Sequence, residues 1–272
     1  MSTPSPTSPL SPSLAPKIAS YAIQPPTGPT PLSTAIELSQ AAHRIGLLNA
    51  AWSTAIRPGS RVLEIGCGQG TCTAVLAEAV SGSPSGHVDA LDPAALDYGA
   101  PFTLGQAQAH LSAGPLGDRI TFRQADPVSF LNDEARKDER WDAAVLAHCI
   151  WYFSSPSELS RILEALRGRV RAVCVAEYAL KASVPAAVPH VLAALAQATL
   201  EAHKTSSHSN IQTPVGPRAI KASAARAGWK GVREEAVVEV ESVVGDERVR
   251  TMLRTAREAT VAAVEAGVAG GR

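Results

Sequence analysis

Val62-Leu63-Glu64-Ile65-Gly66-Cys67-Gly68-Gln69-Gly70 decides how the rest of this chain is read. A short run suited to a buried strand enters a turn with glycine at alternate positions. Thr71–Val80, directly behind it, has the composition of a helix. Glycine lets backbone pass close beneath a ligand and adopt conformations closed to other residues. In open α/β sheets the ligand sits at such a turn, against the helix N-terminus and the carboxyl ends of the strands.

Working outward, the pattern repeats. Arg61–Ile65 reads as the first strand and His87–Leu91 as the second, followed by a helix over Thr103–Ser112. Ile120–Gln124 reads as a third strand and Asp142–Ala147 as a fourth, with a helix over Pro156–Leu166 and a fifth strand at Val170–Ala176. Repeated β-α-β units of this size imply a parallel sheet with helices on both faces. Upstream, Thr34 and Glu37 have capping-box spacing, and Leu38, Ala41, Ile45, Leu48 and Trp52 form one apolar stripe. That helix is expected to begin near Thr34 and to end before Pro58-Gly59.

The glycine turn narrows the ligand. A dinucleotide fingerprint wants a small residue where Thr71 stands, and Glu64 lies two residues before the first glycine. A carboxylate there repels a pyrophosphate and tolerates a ligand bearing an amino group and a sulfonium. S-adenosylmethionine is therefore favoured over NAD. Asp92 ends the second strand about twenty residues on, where a carboxylate accepts from ribose hydroxyls, and Pro93 turns the chain away. Gln124-Ala125-Asp126-Pro127 follows the third strand, and Ala147-His148-Cys149 the fourth, beside the glycine turn.

Together these elements, spanning roughly residues 60–178, resemble the class I (Rossmann-like) S-adenosylmethionine-dependent methyltransferase family. The resemblance implies an α/β fold: a doubly wound, mostly parallel sheet with helices on both faces and an N-terminal lid helix. It implies that Glu64, Gly66, Cys67, Gly68, Gln69 and Gly70 surround the methionine part of the cofactor. By the same resemblance Asp92 holds the ribose, Ala125 and Asp126 read the adenine, and Pro93, Ala147 and His148 border the cofactor. The Ser33–Trp52 helix would cover the site. One departure stands out: such sheets usually finish with an antiparallel strand pair. Here Val232–Val240 is the one clear candidate, and the last strand is either Glu241–Val244 or missing.

For the chemistry, His148 is the candidate general base, since histidine titrates near neutral pH and this one lies at the switch point. The alternative is a histidine that only hydrogen-bonds backbone or packs on the cofactor. Trp151, Tyr152 and Phe153 stand together in a chain with 4% aromatics. They either wall an acceptor pocket, Trp151 and Tyr152 foremost, or pack under the next helix. Glu177 and Tyr178, at the end of the fifth strand, point one of their pair towards substrate. His43 either reaches the cleft from the lid or is solvated. Cys67 and Cys149 read as packing residues, and no metal site is expected: His203 and His208 lack a third ligand.

The remaining features set limits. The 272 residues carry 45% hydrophobic and 18% charged side chains and zero formal net charge. A sizeable core is available, and neither nucleic acid nor an anionic membrane is indicated as a partner. No apolar run reaches the roughly 18–20 residues of a membrane span. Residues 1–31, crowded with Pro, Ser and Thr, read as a disordered tail. Lys17 is the one cation in residues 1–20, too few for a transit peptide, so the expected location is cytoplasmic with reduced thiols. The expected organisation is a tail over 1–31, a lid helix over 32–59, a cofactor-binding core over 60–178, and substrate-covering helices with the end of the sheet over 179–272. Helices are expected at Pro189–His203, Pro217–Gly228 and Glu247–Ala266. The expected function is methyl transfer to a small-molecule acceptor, with oligomeric state left open. The alternatives are a cofactor-binding protein that catalyses a rearrangement, a non-catalytic regulatory partner and, disfavoured, an NAD dehydrogenase.

Overall fold

The computed structural model describes residues 10–182, 185–207 and 209–230. Five strands form its centre: β1 (Arg61–Ile65), β2 (His87–Asp92), β3 (Ile120–Gln124), β4 (Trp141–Ala147) and β5 (Val170–Ala176). All neighbours pair in parallel, in the order β3-β2-β1-β4-β5. The chain therefore reverses its winding between β1 and β4, and the crevice at that reversal is where such sheets take ligands.

Alternation along β1 explains the layers. Val62 packs into a cluster with α1 (Ala15–Ala19), α2 (Pro31–Leu47) and α3 (Thr71–Ala79). Leu63 and Ile65 point the other way, into a cluster with α5 (Pro127–Leu131), α6 (Pro156–Ala165) and α8 (Pro217–Arg226). α4 (Leu104–Ala113) adds Leu111 to the first cluster. α3 is buried along nearly its whole length, because the sheet covers one side and α1 and α2 cover the other. α7 (Val188–Glu201) buries only Ala193 and Ala194, on one side.

Several boundaries differ from the sequence reading for local reasons. α2 starts at Pro31 rather than near Thr34, because Thr30 and Ser33 form the capping box and proline suits the first helical position. Thr34 Oγ1 donates instead to the Thr30 carbonyl. The apolar stripe holds for Ala41, Ile45, Leu48 and Trp52, but Leu38 is exposed. The helix continues as a π-turn over Leu48–Trp52, which keeps Trp52 on the buried side. α5 was not anticipated; Asp126 caps it, accepting from the Ser129 N–H at 2.8 Å.

The expected tail over 1–31 is structured across its second half. Leu10, Ala15 and Ile18 are buried against α2 and α3, Asn49 ties Leu10 down by two hydrogen bonds, and Lys17 pairs with Glu78 at 2.6 Å. Proline-rich composition argued against a local core, but the second half of this segment borrows its core from α2 and α3. The strand expected at Val232–Val240, the candidate last strand at Glu241–Val244, the closing helix over Glu247–Ala266, and His208 lie outside the described residues.

Candidate active site

The three glycines of the β1–α3 turn all have positive φ, which only glycine adopts freely, but they serve different ends. A Cβ on Gly66 would stand 2.4 Å from Cys149 Cβ, and one on Gly70 would stand 2.4 Å from a Leu111 methyl. Those two are small so that the protein can close on itself. A Cβ on Gly68 would meet nothing within 4 Å. Gly68 is thus the point where bare backbone faces open space, a cradle that any side chain would fill.

Asp92 borders this cradle. Its Oδ2 accepts from the Gly68 N–H at 2.8 Å and its Oδ1 from the Ala94 N–H at 2.9 Å. Two bonds to a carboxylate leave accepting capacity on both oxygens, so Asp92 is oriented yet still able to take the hydroxyls of a ligand. The Ala125 N–H donates to the Asp92 carbonyl at 3.1 Å, which ties the end of β3 to the end of β2. Asp126 is exposed beside it. Gln108 Nε2 donates to the Gly68 carbonyl at 2.8 Å, and Gln69 Nε2 to the Phe102 carbonyl at 2.6 Å. Pro93 is exposed at the rim.

Glu64 differs from its expected position. It is 1% exposed and lies beneath the turn, accepting from Thr73 Oγ1 at 2.5 Å. Its carboxyl is thus covered by the protein rather than open to the space above Gly68. Burial pushes its carboxyl up to about 7, while the Thr73 hydroxyl, the Cys72 thiol and the Arg44 charge pull down and Asp92 pushes up. Cys67 and Cys149 are buried, and burial holds both thiols well above the ordinary range, so they pack rather than react. Cys149 Sγ donates to the Ile65 carbonyl at 3.2 Å, locking the β4 end to the turn.

Across the crevice, Ala147 ends β4 and His148 follows with φ 55°. A left-handed conformation costs a non-glycine residue roughly 1–2 kcal/mol. Such strain gathers at functional positions. The His148 N–H is held by the Ala176 carbonyl at 2.8 Å. Its ring meets three groups. Glu177 Oε1 lies 3.6 Å from Nδ1, the Tyr178 ring lies 4.6 Å away centroid to centroid, and His43 Nε2 lies 3.0 Å from His148 Nε2. Glu177 has a side chain only 2% exposed, yet it accepts the N–H groups of Ile150 at 3.0 Å, Trp151 at 3.4 Å and Tyr178 at 3.0 Å. That network explains how a carboxylate is kept buried there.

The aromatic segment divides. Trp151 is buried, with Nε1 donating to the Val215 carbonyl at 3.1 Å and its ring 5.4 Å from Tyr178. Tyr152 is exposed, and Phe153 packs against the core beneath α6. The residue that sequence reasoning undervalued is His43. It lies with Gln40 and Leu47 on the α2 face next to the apolar stripe, and Gln40 Oε1 sits 3.5 Å from Thr71 Oγ1 at the start of α3. α2 therefore touches both banks of the crevice, α3 through Gln40 and the β4 end through His43. Burial, helped by the Arg44 and His148 charges, drops His43 to about 3. No grouping of His, Cys, Asp or Glu suited to a metal occurs among the described residues.

Open backbone at Gly68, a carboxylate ready to accept from hydroxyls, and further carboxylates at Asp126 and Glu177 suit a cationic ligand that carries a diol. They would repel a diphosphate. Comparison with known proteins agrees. A family model described as a methyltransferase domain matches residues 38–234. Two curated proteins of Diaporthe leptostromiformis, methyltransferase phomM' and methyltransferase phomM, are each 35% identical over 202 residues, covering 62% of this chain and 52% of their own. The chain thus spans about half the length of these curated relatives. The crystal structure of a cyclopropane-fatty-acyl-phospholipid synthase-like protein from Lactobacillus casei is 37% identical, with a TM-score of 0.70 over 79% of this chain and 75% of that one.

Proposed function

This chain belongs to the methyltransferase-domain family, matched over residues 38–234, and from that premise we propose that it binds S-adenosylmethionine at the Gly68 cradle and methylates a small-molecule acceptor. The observation that carries this reading is Gly68 itself. Its two companion glycines admit the protein's own side chains, whereas it alone faces open space, with the Asp92 carboxylate fixed at its N–H.

The chemical parts fit the cofactor. Asp92 takes the ribose hydroxyls, and the backbone at Ala125 with Asp126 takes the adenine edge. The Gly66–Gly70 backbone holds the methionine part. Glu64 acts from below, as a buried group that stiffens the β1–α3 junction. When bound, the cofactor supplies an electrophilic methyl group on a sulfonium. The chain's own contribution is then to orient the acceptor and exclude water. Positioning of this kind is worth up to roughly 7–11 kcal/mol in well-oriented reactions. His148, Trp151, Tyr152, Glu177 and Tyr178 border the acceptor side, and α2 serves as the lid over the crevice. No helix among the described residues is long and apolar enough to cross a membrane.

The test is transfer of isotope-labelled methyl from S-adenosylmethionine into a panel of small amines, phenols, carboxylates, thiols and unsaturated acyl lipids. Label appearing in one small-molecule class, and lost in Asp92→Ala, supports the proposal. Cofactor binding without label in any product favours a non-methylating reaction on the same fold.

A further inference from the structure

The three side chains His43, His148 and Glu177 come from separate places in the sequence: the middle of α2 and the residues just after β4 and β5. They meet in one line at the switch point of the sheet. Their order is fixed by distance. Glu177 Oε1 faces His148 Nδ1 at 3.6 Å, and His148 Nε2 faces His43 Nε2 at 3.0 Å. His148 Nδ1 is buried and has no hydrogen-bond partner, while its ring as a whole is 10% exposed. Glu177 is already turned towards that ring, because the Ile150, Trp151 and Tyr178 N–H groups hold it there.

A neutral histidine carries its proton on one nitrogen, and the partner of one nitrogen sets the state of the other. A buried carboxylate beside Nδ1 favours the proton at Nδ1. The lone pair then lies on Nε2. A separation of 3.0 Å between the two Nε2 atoms requires one to donate and the other to accept. With His148 accepting, His43 is the donor. His43 is suited to this, since burial and the Arg44 charge keep it neutral, with one N–H to give.

On the reading that the crevice is a methyl-transfer site, we propose that His148 Nε2 is its proton acceptor, that Glu177 positions it by holding the Nδ1–H form, and that His43 on α2 occupies that lone pair until the acceptor's own N–H or O–H replaces it. The acceptor class follows: a nucleophilic atom that still carries a proton. Tertiary amines and thioethers are excluded as acceptors. As His43 withdraws, the acceptor's N–H or O–H bond gives its proton to His148 Nε2. A lone pair on the acceptor atom forms the bond to the methyl carbon as that proton departs, the pair of the broken N–H or O–H bond stays on the acceptor atom, and the pair of the broken carbon–sulfur bond stays on sulfur. The proton leaves for solvent once α2 lifts. The rings of Tyr178 and His43 and the carboxylate of Glu177 are the groups that face His148 in this arrangement. Glu177 is a positioning residue and does not touch the acceptor.

Long-range ¹H–¹⁵N spectra of the full chain, ¹⁵N-labelled at histidine and free of any ligand, test this directly. His43→Ala and His148→Asn assign the two rings. The expected result is a His148 ring protonated at Nδ1 and bare at Nε2, with His43 protonated at Nε2. His43→Ala leaves the His148 form unchanged, and Glu177→Gln moves a measurable fraction of its proton to Nε2. A wild-type His148 protonated at Nε2 overturns the proposal, and this spectrum needs no variant to fold. The same samples titrated with S-adenosylhomocysteine separate the two readings. Failure to bind it removes the cofactor assignment, whereas normal binding with the wrong ring form removes only the proton relay.

Discussion

Replacing Glu64 by glutamine leaves the shape of the β1–α3 junction intact and removes a titration from its centre. Glu64 is 1% exposed, and burial lifts its carboxyl from 4.5 to about 7 in the folded chain. Between those values the folded chain holds a proton that the unfolded chain has lost. Stability from this group is therefore present at low pH and declines as pH rises through the window. A tenfold difference in proton affinity between the folded and unfolded chains is worth about 1.36 kcal/mol. Between pH 5 and pH 8, most of the window is crossed, and the wild type should lose roughly 2–3 kcal/mol from this source. The raw profile does not isolate the effect. His43, lowered to about 3, adds a contribution of opposite sign: the unfolded chain binds the extra proton, so stability falls as pH drops below about 6.5. Taking wild type against Glu64→Gln cancels His43. Urea unfolding at the two pH values, with unchanged m-values, should show the variant gaining roughly 2–3 kcal/mol on the wild type at the higher pH. A gap of equal size at both would mean that Glu64 is ionised throughout, and the account of a neutral carboxyl beneath the turn would fail.

Two further outcomes follow from packing. Gly70→Ala should cost roughly 2–4 kcal/mol in urea unfolding, because it combines left-handed strain with collision against Leu111 and Phe122; Gly68→Ala should cost only about 1 kcal/mol, since its Cβ meets nothing. Equal losses would contradict the division of labour among the glycines. Ile18→Ala should cost about 2–5 kcal/mol, as a buried core residue does, whereas Lys17→Ala should change stability by less than about 1 kcal/mol, its partner being a surface pair. A silent Ile18→Ala would return the segment to the mobile tail that its composition implies.

The centre of the fold was legible because its signals are local. A strand that ends in alternating glycines, and four later strands with helices between them, can be read from short windows, and β3 and β5 have the bounds expected for them. Asp92 was legible for the same reason: it ends a strand at the right distance from the turn. What was hidden depends on partners far away in sequence. Leu10 and Ile18 look like parts of a proline-rich tail until α2 and α3 supply the surface they bury. Glu64 looks like a ligand-facing carboxylate until Thr73 draws it inward. His43 sits one face away from the apolar stripe of α2, and only the crossing of that helix over the sheet brings it to His148, 105 residues on. Asp126 carried a second role as the cap of α5 that its place after β3 did not reveal.

The claim on which the rest depends is that open backbone at Gly68, guarded by Asp92, receives an adenosyl ligand. Calorimetric titration of the full chain with S-adenosylhomocysteine tests it most directly. Micromolar binding to the wild type is the expected result. Asp92→Ala should weaken it by about tenfold or more, the effect of losing hydrogen bonds to a charged group. No heat of binding with folded wild type, or equal affinity in Asp92→Ala, would contradict it.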